Sequence, residues 1–476
     1  MPDYEAVIGL EVHAQLKTRS KLFCACSTVF GEEPNENTCP VCAGMPGALP
    51  VMNKKAVEYG VKLSQALDCQ VNDRSVFARK NYFYPDLPKG YQISQYELPL
   101  AEEGKLEMPV NGNIRQVRIV RIHMEDDAGK SIHGAENTSY VDLNRTGVPL
   151  LEIVSGPDIF SPDEAVAYLK SLRNILIYLD ICRGNMQEGN FRCDANVSVR
   201  PRGRPEYGTR TEVKNMNSFR FVHKALTHEI NRQIELLEDG EQVVQETRLF
   251  DESSGQTKSM RGKEEAHDYR YFPDPDLVPL SISVRDHEEW SRELPELPLS
   301  KWRRFLRDYA LSEEAADILT AERDMADYFE RVVACFDEPQ TVGNWMISEM
   351  LRELNEGGIS ASESPLAPEQ LAELLRLIQQ EKISSKIAKQ IFPEVFARGL
   401  DPESYVEEKG YLQITDESRL QEVVREVVAE NPDEVDSYKQ GKKKLMSFFM
   451  GQVMKKTQGQ ANPKLVDQLL RSELEG

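Results

Sequence analysis

The 476-residue sequence has no apolar run long enough to cross a lipid bilayer, so it does not predict a membrane protein. Its opening residues, MPDYEAVIGL, are acidic and lack the basic stretch with which a secretory signal begins. Cysteine is sparse, since eight residues in a chain of this length are too few for a disulfide scaffold. These absences predict a cytoplasmic globular protein with reduced thiols and no membrane contact.

Three catalytic signatures are also missing. HMEDDAGKSIHG (123–134) contains Gly-Lys-Ser, but Met124 stands where a phosphate-binding loop needs its first glycine, and three acids precede the motif. Neither the Gly-Gly-Ser-Ser-Gly run of an amidase nor the G-x-C-x-G of a glutaminase occurs. ISSKIAK (383–389) imitates a Ser-Ser-Lys set, but its spacing predicts the start of a helix. If this protein uses ammonia, a partner must therefore make it.

Positive charge is scarce as well. The formal net charge of −21 argues against a protein that binds polyanions regardless of their sequence. The charge is uneven, because residues 401–436 hold 12 acids and 3 bases (net −9) and residues 437–476 hold 8 bases and 3 acids (net +5). This reversal fits either two ordinary solvated helix faces or a local contact site for RNA.

The pattern of the sequence changes along the chain. Up to about residue 290, alternation with a period of two and long loops rich in proline and glycine predict strands. After ELPELPLS the apolar spacing is helical. We predict an α+β fold with an antiparallel sheet in a large N-terminal domain (1–292), followed by an all-helical domain (293–400) and a helical tail domain (401–476).

Four predicted strands have faces rich in residues that carry chemistry. They span residues 6–16, 118–125, 191–201 and 209–217. For any single strand, an ordinary solvent-facing side is the alternative interpretation. Alternation places the following residues together: Glu11 with His13; Arg121 with His123 and Glu125; Arg192 with Asp194 and Asn196; Glu212 with Lys214.

Mg²⁺ needs hard oxygen ligands, and a triphosphate needs cationic groups such as the two-pronged guanidinium of arginine. The carboxylates, histidine, asparagine and arginine on these faces together suit both. Glu152 lies in the apolar segment LLEIVSGPD, and an acid in such a strand is usually paired or bound to a metal. The acids of HMEDDAGKS are therefore interpreted as metal ligands, with Lys130 meeting an anion through its side chain.

Four cysteines form two close pairs, Cys24 with Cys26 and Cys39 with Cys42. This spacing favours tetrahedral Zn²⁺, and four protein ligands leave no open coordination position, so the role would be structural. A redox dithiol is the alternative. The other four are interpreted as core residues: Cys69, Cys182, Cys193 and Cys335.

Eight motifs spread along the chain are long and specific: VIGLEVHAQL, RKNYFYPDLPKGYQISQY, HMEDDAGKSIH, VDLNRTGVPLLEIVS, RCDANVSVRP, EVKNMNSF, DYRYFPDPDLVPL and GQANPKLVDQLL. They resemble the B-type (GatB) component of the tRNA-dependent amidotransferases, which act on glutamate or aspartate misloaded on the tRNA for glutamine or asparagine. The resemblance covers essentially the whole chain.

The resemblance implies a cradle-shaped N-terminal domain, a helical domain and a tail that reaches the tRNA. The cradle would bind Mg²⁺ and ATP and phosphorylate the side-chain carboxylate of the misloaded amino acid. Ammonia from glutamine, released by a separate amidase subunit, would travel through a tunnel and displace phosphate. A small third subunit would strap the two large ones into a heterotrimer.

It also implies roles for individual residues. The expected catalytic residues, the first four of them Mg²⁺ ligands, are Glu11, His13, Glu125, Glu152, Lys80, Lys89 and Asp194. The expected nucleotide-binding residues are Lys80, Arg192, Asn196, Lys214 and Asn215. The lysines expected to meet tRNA phosphates are Lys442, Lys443, Lys444, Lys455, Lys456 and Lys464.

The sequence departs from the family pattern at two points. The opening motif usually has two glutamates and then an aspartate, whereas its middle acid here is Asp126. Many relatives lack the four cysteines, so zinc would not be needed for the reaction itself. Two alternatives stay open: an adaptor that only docks tRNA onto an amidase, and a free-standing ligase that uses ammonium directly.

Overall fold

A computed structural model describes residues 3–134, 138–260, 269–412, 417–457 and 461–475. It divides the chain into two units, Met1–Lys301 and Trp302–Gly476. The strands of the first unit are β1 (Tyr4–Gln15), β2 (Gln70–Val71), β3 (Arg74–Ser75), β4 (Phe77–Asn81), β5 (Tyr91–Gln95), β6 (Ala101–Val110), β7 (Asn113–Asp126), β8 (Lys130–His133), β9 (Ser139–Asp142), β10 (Pro149–Ser155), β11 (Phe191–Pro201), β12 (Thr211–Lys214), β13 (Thr247–Asp251), β14 (Gln256–Ser259), β15 (Phe272–Pro273) and β16 (Leu280–Ser281). Its helices are α1 (Lys54–Ala66), α2 (Pro162–Tyr178), α3 (Phe219–Glu238) and α4 (Val284–Arg292).

A nine-stranded sheet is the centre of this unit, in the order β14-β13-β12-β11-β1-β10-β7-β6-β2. Its neighbouring strands are antiparallel, as predicted, except that β12 and β13 run parallel. Parallel neighbours need a crossover connection, and α3 supplies it between these two strands. A second, three-stranded sheet in the order β15-β4-β5 carries the Lys80 segment.

The large sheet has one apolar face, produced by the alternation read from the sequence. In β1, Ile8, Leu10 and Val12 are at most 1% exposed, and they share one buried cluster with Tyr168 and Leu172 of α2. Because successive side chains of a strand point to opposite faces, the residues between them form a second face that is free for polar groups. The candidate site lies on that second face.

From α5 onward the described chain is helical, which confirms the α+β class. Two hydrophobic clusters form there, one between Phe305 and Val406 and one between Leu420 and Leu474. The domain boundaries near 293 and 400 stay a prediction. The helical elements are α5 (Pro298–Asp308), α6 (Glu313–Thr320), α7 (Arg323–Cys335), α8 (Pro339–Trp345), a π-helix (Met346–Met350), α9 (Leu351–Gly357), a 3₁₀ turn (Ala361–Glu363), α10 (Pro368–Gln379), α11 (Ser385–Arg398), α12 (Pro402–Glu408), α13 (Glu417–Glu430), α14 (Pro432–Lys439), a second 3₁₀ turn (Lys443–Leu445), α15 (Met446–Lys456) and α16 (Pro463–Glu475).

Two smaller predictions have opposite outcomes. ISSKIAK does begin a helix, since the Ser384 hydroxyl accepts a hydrogen bond from the Ile387 amide at 3.2 Å. Cys335, predicted to be a core residue, is exposed, because it lies off the face on which Phe329 and Val332 are buried. Within the described residues, no helix is both long and apolar enough to span a bilayer.

Helix α3 is fixed to the sheet by Glu229, which is fully buried. Its carboxylate accepts hydrogen bonds from Arg232 at 2.6 Å, Gln233 at 2.8 Å and Thr257 at 3.0 Å. Arg248 lies 3.3 Å away and adds a second positive charge. Burial acts to raise the pKa of Glu229, but these donors outweigh it and hold that pKa below its usual value.

We expect Glu229→Ala to lower the free energy of unfolding by about 3–5 kcal/mol, because it leaves buried donors and cations without an acceptor. The matched control is Glu235→Ala, an exposed residue on the same helix, for which we expect a change within about 0.5 kcal/mol. Hydrogen exchange of the α3 and β11 amides measures both values within this unit. Because the pKa of Glu229 is depressed, its contribution is present at neutral pH and is lost as the pH falls through that pKa. Equal protection in the two variants would contradict this assignment.

Candidate active site

The polar face of the large sheet brings residues from several strands into rows. In antiparallel pairs, residues directly opposite each other share a face and lie close together. His13 of β1 is opposite Glu152 of β10 on one side and Arg192 of β11 on the other. Glu11 is likewise opposite Asp194. The register of the sheet therefore joins residues far apart in the sequence.

His13 lies at the centre of a carboxylate cluster. Its Nε2 atom is 3.6 Å from Glu125 Oε1, 3.8 Å from Glu11 Oε1 and 3.8 Å from Glu152 Oε2. One ligand atom from each of Glu11, His13 and Glu152 lies within 4.8 Å of the other two. Donors that share one octahedral ion are about 3 to 4 Å apart, so small movements would let these residues hold a divalent cation.

Burial shapes the charge of this cluster. Together with neighbouring carboxylates, which act on Glu11 and Glu152, it raises the pKa of each of Glu11, Glu125 and Glu152 to about 7. Burial, reinforced by Arg192, lowers the pKa of His13 to about 3. At neutral pH the imidazole is therefore uncharged and available as a ligand, while the carboxyl groups are only partly ionised. A bound cation would favour their complete ionisation.

Two lysines face this cluster and stay charged. Burial acts to lower the pKa of Lys80, but the Glu125 and Glu152 carboxylates raise it above its usual value. Lys214 Nζ lies 2.9 Å from Asp194 Oδ2 and is held in place by that ion pair. The site thus combines a group of acids with fixed ammonium groups at its edge.

The three acids of HMEDDAGKS have different partners. Glu125 joins the cluster, whereas Asp126 lies on the opposite face of β7, forms an ion pair with Lys89 and accepts a hydrogen bond from the Ile93 amide at 2.8 Å. Asp127 accepts two hydrogen bonds of 3.1 Å from Arg192. Of these three acids only Glu125 lies in the carboxylate cluster, and Lys89 and Arg192 are engaged with the other two.

The two predicted asparagines occupy different surroundings. Asn196 lines a cavity of about 550 Å³. Glu11 and Arg210 also line this cavity, which therefore adjoins the carboxylate cluster. Asn215 is exposed, has a φ of +67° and donates a hydrogen bond of 3.0 Å to the Phe250 carbonyl. Asn215 therefore stabilises the turn after β12, while Asn196 faces the cavity.

The four cysteines predicted to bind zinc come together as a candidate metal site, with their Sγ atoms within 4.8 Å of one another. Lys21, which the sequence analysis did not single out, is fully buried beside them, with Nζ 3.6 Å from Cys42 Sγ. Hydrogen bonding with Cys24, together with the Lys21 charge, holds the pKa of Cys42 well below its usual value. Only its position beside the LFCAC segment could have suggested Lys21, because burial is not visible in the sequence.

The six lysines predicted to contact tRNA divide into two groups. All six are exposed, and those of the first group, Lys442, Lys444 and Lys455, form no ion pair with another described residue. The other three form ion pairs with acids of the second unit, which reduces the charge they offer to RNA. These pairs are Lys443–Glu475 (2.9 Å), Lys456–Glu426 (3.0 Å), Lys456–Glu430 (2.7 Å) and Lys464–Glu381 (2.6 Å).

Comparison with known proteins identifies the family of this chain. Residues 6–288 match the family described as "GatB/GatE catalytic domain", and residues 327–474 match the family described as "GatB domain". The first match contains the whole carboxylate cluster and the four cysteines.

Full-length relatives are similar along the entire chain. A protein of Solidesulfovibrio magneticus is 60% identical over 475 residues, covering 100% of both chains, and one of Thermodesulfovibrio yellowstonii is 57% identical over 467 residues, covering 98% of each. A protein of Geobacter sulfurreducens is 55% identical over 478 residues, again covering 100% of both. Each is named as the B-type subunit of an aspartyl/glutamyl-tRNA(Asn/Gln) amidotransferase. The present chain therefore belongs to the GatB family of aspartyl/glutamyl-tRNA(Asn/Gln) amidotransferase subunits.

Proposed function

We propose that this chain is the ATP-dependent transamidase subunit of a glutamine-hydrolysing tRNA amidotransferase. Its substrate is glutamate on tRNA(Gln), aspartate on tRNA(Asn), or both. It works in a heterotrimer with an amidase subunit, which releases ammonia from glutamine, and with a small third subunit. The observation that carries the proposal is the cluster of half-buried Glu11 and buried Glu125 and Glu152 around a neutral His13.

This cluster fits a magnesium ion. Glu11, His13, Glu125 and Glu152 would hold it, since carboxylate oxygens are its preferred protein ligands and the uncharged imidazole is free to bind. The bound ion would neutralise charge on the phosphoryl group during transfer from ATP. Lys80, kept cationic by two of these acids, is the chain's own group for orienting the substrate carboxylate.

We assign ATP to the cavity that adjoins the cluster at Glu11. Asn196 and Arg210 line it, and the guanidinium group of arginine matches phosphate oxygens in pairs. Lys214, fixed by Asp194, supplies a further positive charge nearby. Arg192 is bound to Asp127, so we assign it the role of holding the site together, with phosphate binding left to the other groups.

The reaction follows from the chemistry of carboxylates, which are poor acyl donors because oxide is a poor leaving group. An oxygen of the substrate carboxylate attacks the γ-phosphorus of ATP, and ADP leaves with the bond electrons. Ammonia then adds to the acyl carbon, phosphate leaves, and a proton lost from nitrogen yields the amide. Since ammonia must arrive unprotonated, a route shielded from water between subunits is physically reasonable.

The tail and the cysteines support secondary roles. The exposed Lys442, Lys444 and Lys455 would meet tRNA phosphates, and this contact would weaken with salt. The four-cysteine cluster fits structural Zn²⁺. Lys21 would partly offset the negative charge of the cysteine thiolates. An adaptor that only docks tRNA would use the tail but would have no need of the carboxylate cluster. A free-standing ligase would not depend on the amidase partner.

We expect Glu125→Gln to reduce ATP turnover at least about 100-fold, because it removes a charged ligand from the phosphoryl-transfer site. The assay uses the assembled complex, Mg²⁺, γ-labelled ATP, glutamate-charged tRNA and ammonium chloride, which bypasses the amidase step, and it measures ADP and amide formation. The control is Glu103→Gln, an exposed acid on β6, for which we expect full activity. Full activity of Glu125→Gln would remove Glu125 from the site, and a wild type without ATP turnover on charged glutamate or aspartate tRNA would favour the adaptor.

We expect the affinity for a divalent cation to rise about tenfold or more between about pH 6 and pH 8. The carboxyl groups of Glu11, Glu125 and Glu152 have pKa values near 7, so at the lower pH the cation must displace protons. Binding of Mn²⁺, followed by electron paramagnetic resonance, measures this dependence. Glu152→Gln should weaken binding and flatten its slope against pH. An affinity that does not change with pH would argue against these ligands.

We expect Cys39→Ser to reduce bound zinc from about one ion per chain to nearly none, because structural sites of this type need four thiolates. Elemental analysis of the purified complex measures this directly. The matched control is Cys335→Ser, an exposed cysteine in the second unit, which should retain zinc fully. A zinc-free wild type that forms a disulfide within the cluster would support the redox dithiol instead.

A further inference from the structure

Four tyrosines gather beside Lys80 at the edge of the carboxylate cluster. Tyr82 follows β4, Tyr96 follows β5, and Tyr269 and Tyr271 precede β15. These three strands form one small sheet, so its hydrogen bonds bring the tyrosines together. Lys80 Nζ lies 4.9 Å from the centre of the Tyr269 ring.

Two of these rings form a parallel stack. Tyr96 and Tyr271 have centroids 4.4 Å apart and planes 7° from parallel. Tyr269 supports the stack edge-on, 6.1 Å from Tyr271 and at an angle of 75°. Tyr96 is 57% exposed although Tyr271 covers one face of its ring, so its other face is open to solvent. A rigid aromatic ring with one open face is the surface on which nucleic-acid bases stack.

The stack adjoins the proposed chemistry. Burial and the charges of Glu152 and Glu125 together raise the pKa of Tyr271 to about 12, and the same two acids act on Lys80. Because Lys80 Nζ lies 4.9 Å from the centre of the Tyr269 ring and Tyr269 packs against Tyr271, the tyrosines lie on the Lys80 side of the cluster. The cavity assigned to ATP opens at Glu11 and Asn196 instead.

We propose that the open face of Tyr96, supported by Tyr271, binds the adenine of the 3′-terminal nucleoside of the charged tRNA. This inference rests on the proposed function. The reacting side-chain carboxylate is joined to that nucleoside by a short chain of single bonds through its ester and ribose. A carboxylate held at Lys80 therefore places the base immediately outside the cluster, where the tyrosines lie. Stacking would fix the position of the acyl group and would need no contact with any other base of the tRNA.

A binding cycle tests this proposal without depending on catalysis. The assembled complex is titrated with uncharged tRNA(Gln), either whole or lacking its 3′-terminal adenosine. For the wild type we expect removal of the adenosine to weaken binding about tenfold, as for one stacked base. For Tyr96→Ala the same removal should change binding by less than about twofold, since the contact is already lost. Tyr96→Phe keeps the ring and should behave as wild type does.

The compared quantity is the ratio of the dissociation constants for tRNA without and with its terminal adenosine. The matched control is Tyr140→Ala, a tyrosine on β9 that is 63% exposed, for which we expect the wild-type ratio. An unchanged ratio in Tyr96→Ala would overturn the proposal. An unchanged ratio together with a higher KM for ATP would also overturn it and would assign the ring to ATP. Loss of the amidase partner from the purified complex would overturn it as well and would assign the ring to a contact between subunits. Ammonium-dependent ADP formation by the wild type is measured separately. Failure of the proposed function is therefore distinguishable from failure of Tyr96 to stack on the terminal adenine.

Discussion

The crowding of buried carboxylates around His13 is the constraint on which the site depends. Three glutamates are brought together where burial disfavours their charge, and each pKa rises toward 7 as a result. Such a cluster is unfavourable as long as its charges have no partner, so the fold must hold it in place. The antiparallel register does this, because His13 and Glu152 are directly opposite each other in adjacent strands. The stability of the sheet, whose other face forms a continuous apolar core, offsets the cost of this crowding.

Neighbouring ion pairs confine this crowding to a small region. Arg192 could neutralise the glutamates, but Asp127 holds it with two hydrogen bonds. In the same way, Asp126 could add a further negative charge, but it lies across the strand and pairs with Lys89. The site therefore keeps a deficit of positive charge, which a divalent cation and Lys80 together can fill. A fully neutralised cluster would have little affinity for magnesium.

The sequence was sufficient to predict the polar faces, because a period of two residues in β1, β7 and β11 determines which side chains share a face. It also indicated the four-cysteine cluster, since all four cysteines lie within one short segment. The sequence alone could not predict which residues lie opposite each other in neighbouring strands, because register depends on the whole sheet. For this reason the separate roles of Glu125, Asp126 and Asp127, and the buried position of Lys21, became visible only in the structure.

The same limit applies to charge in the tail, where counting residues overstates the positive surface. Seven lysines lie between Lys439 and Lys464, but Lys443, Lys456 and Lys464 are paired with glutamates. An exposed ion pair contributes little to stability, so these pairs are weak and RNA phosphate could compete for the lysines. Each of these lysines would then exchange a carboxylate partner for a phosphate, which would limit the net gain in binding free energy. If the proposed tRNA contact is right, a protein with a net charge of −21 would bind tRNA through those described lysines of the tail that form no ion pair and would repel it elsewhere, which favours one orientation over many.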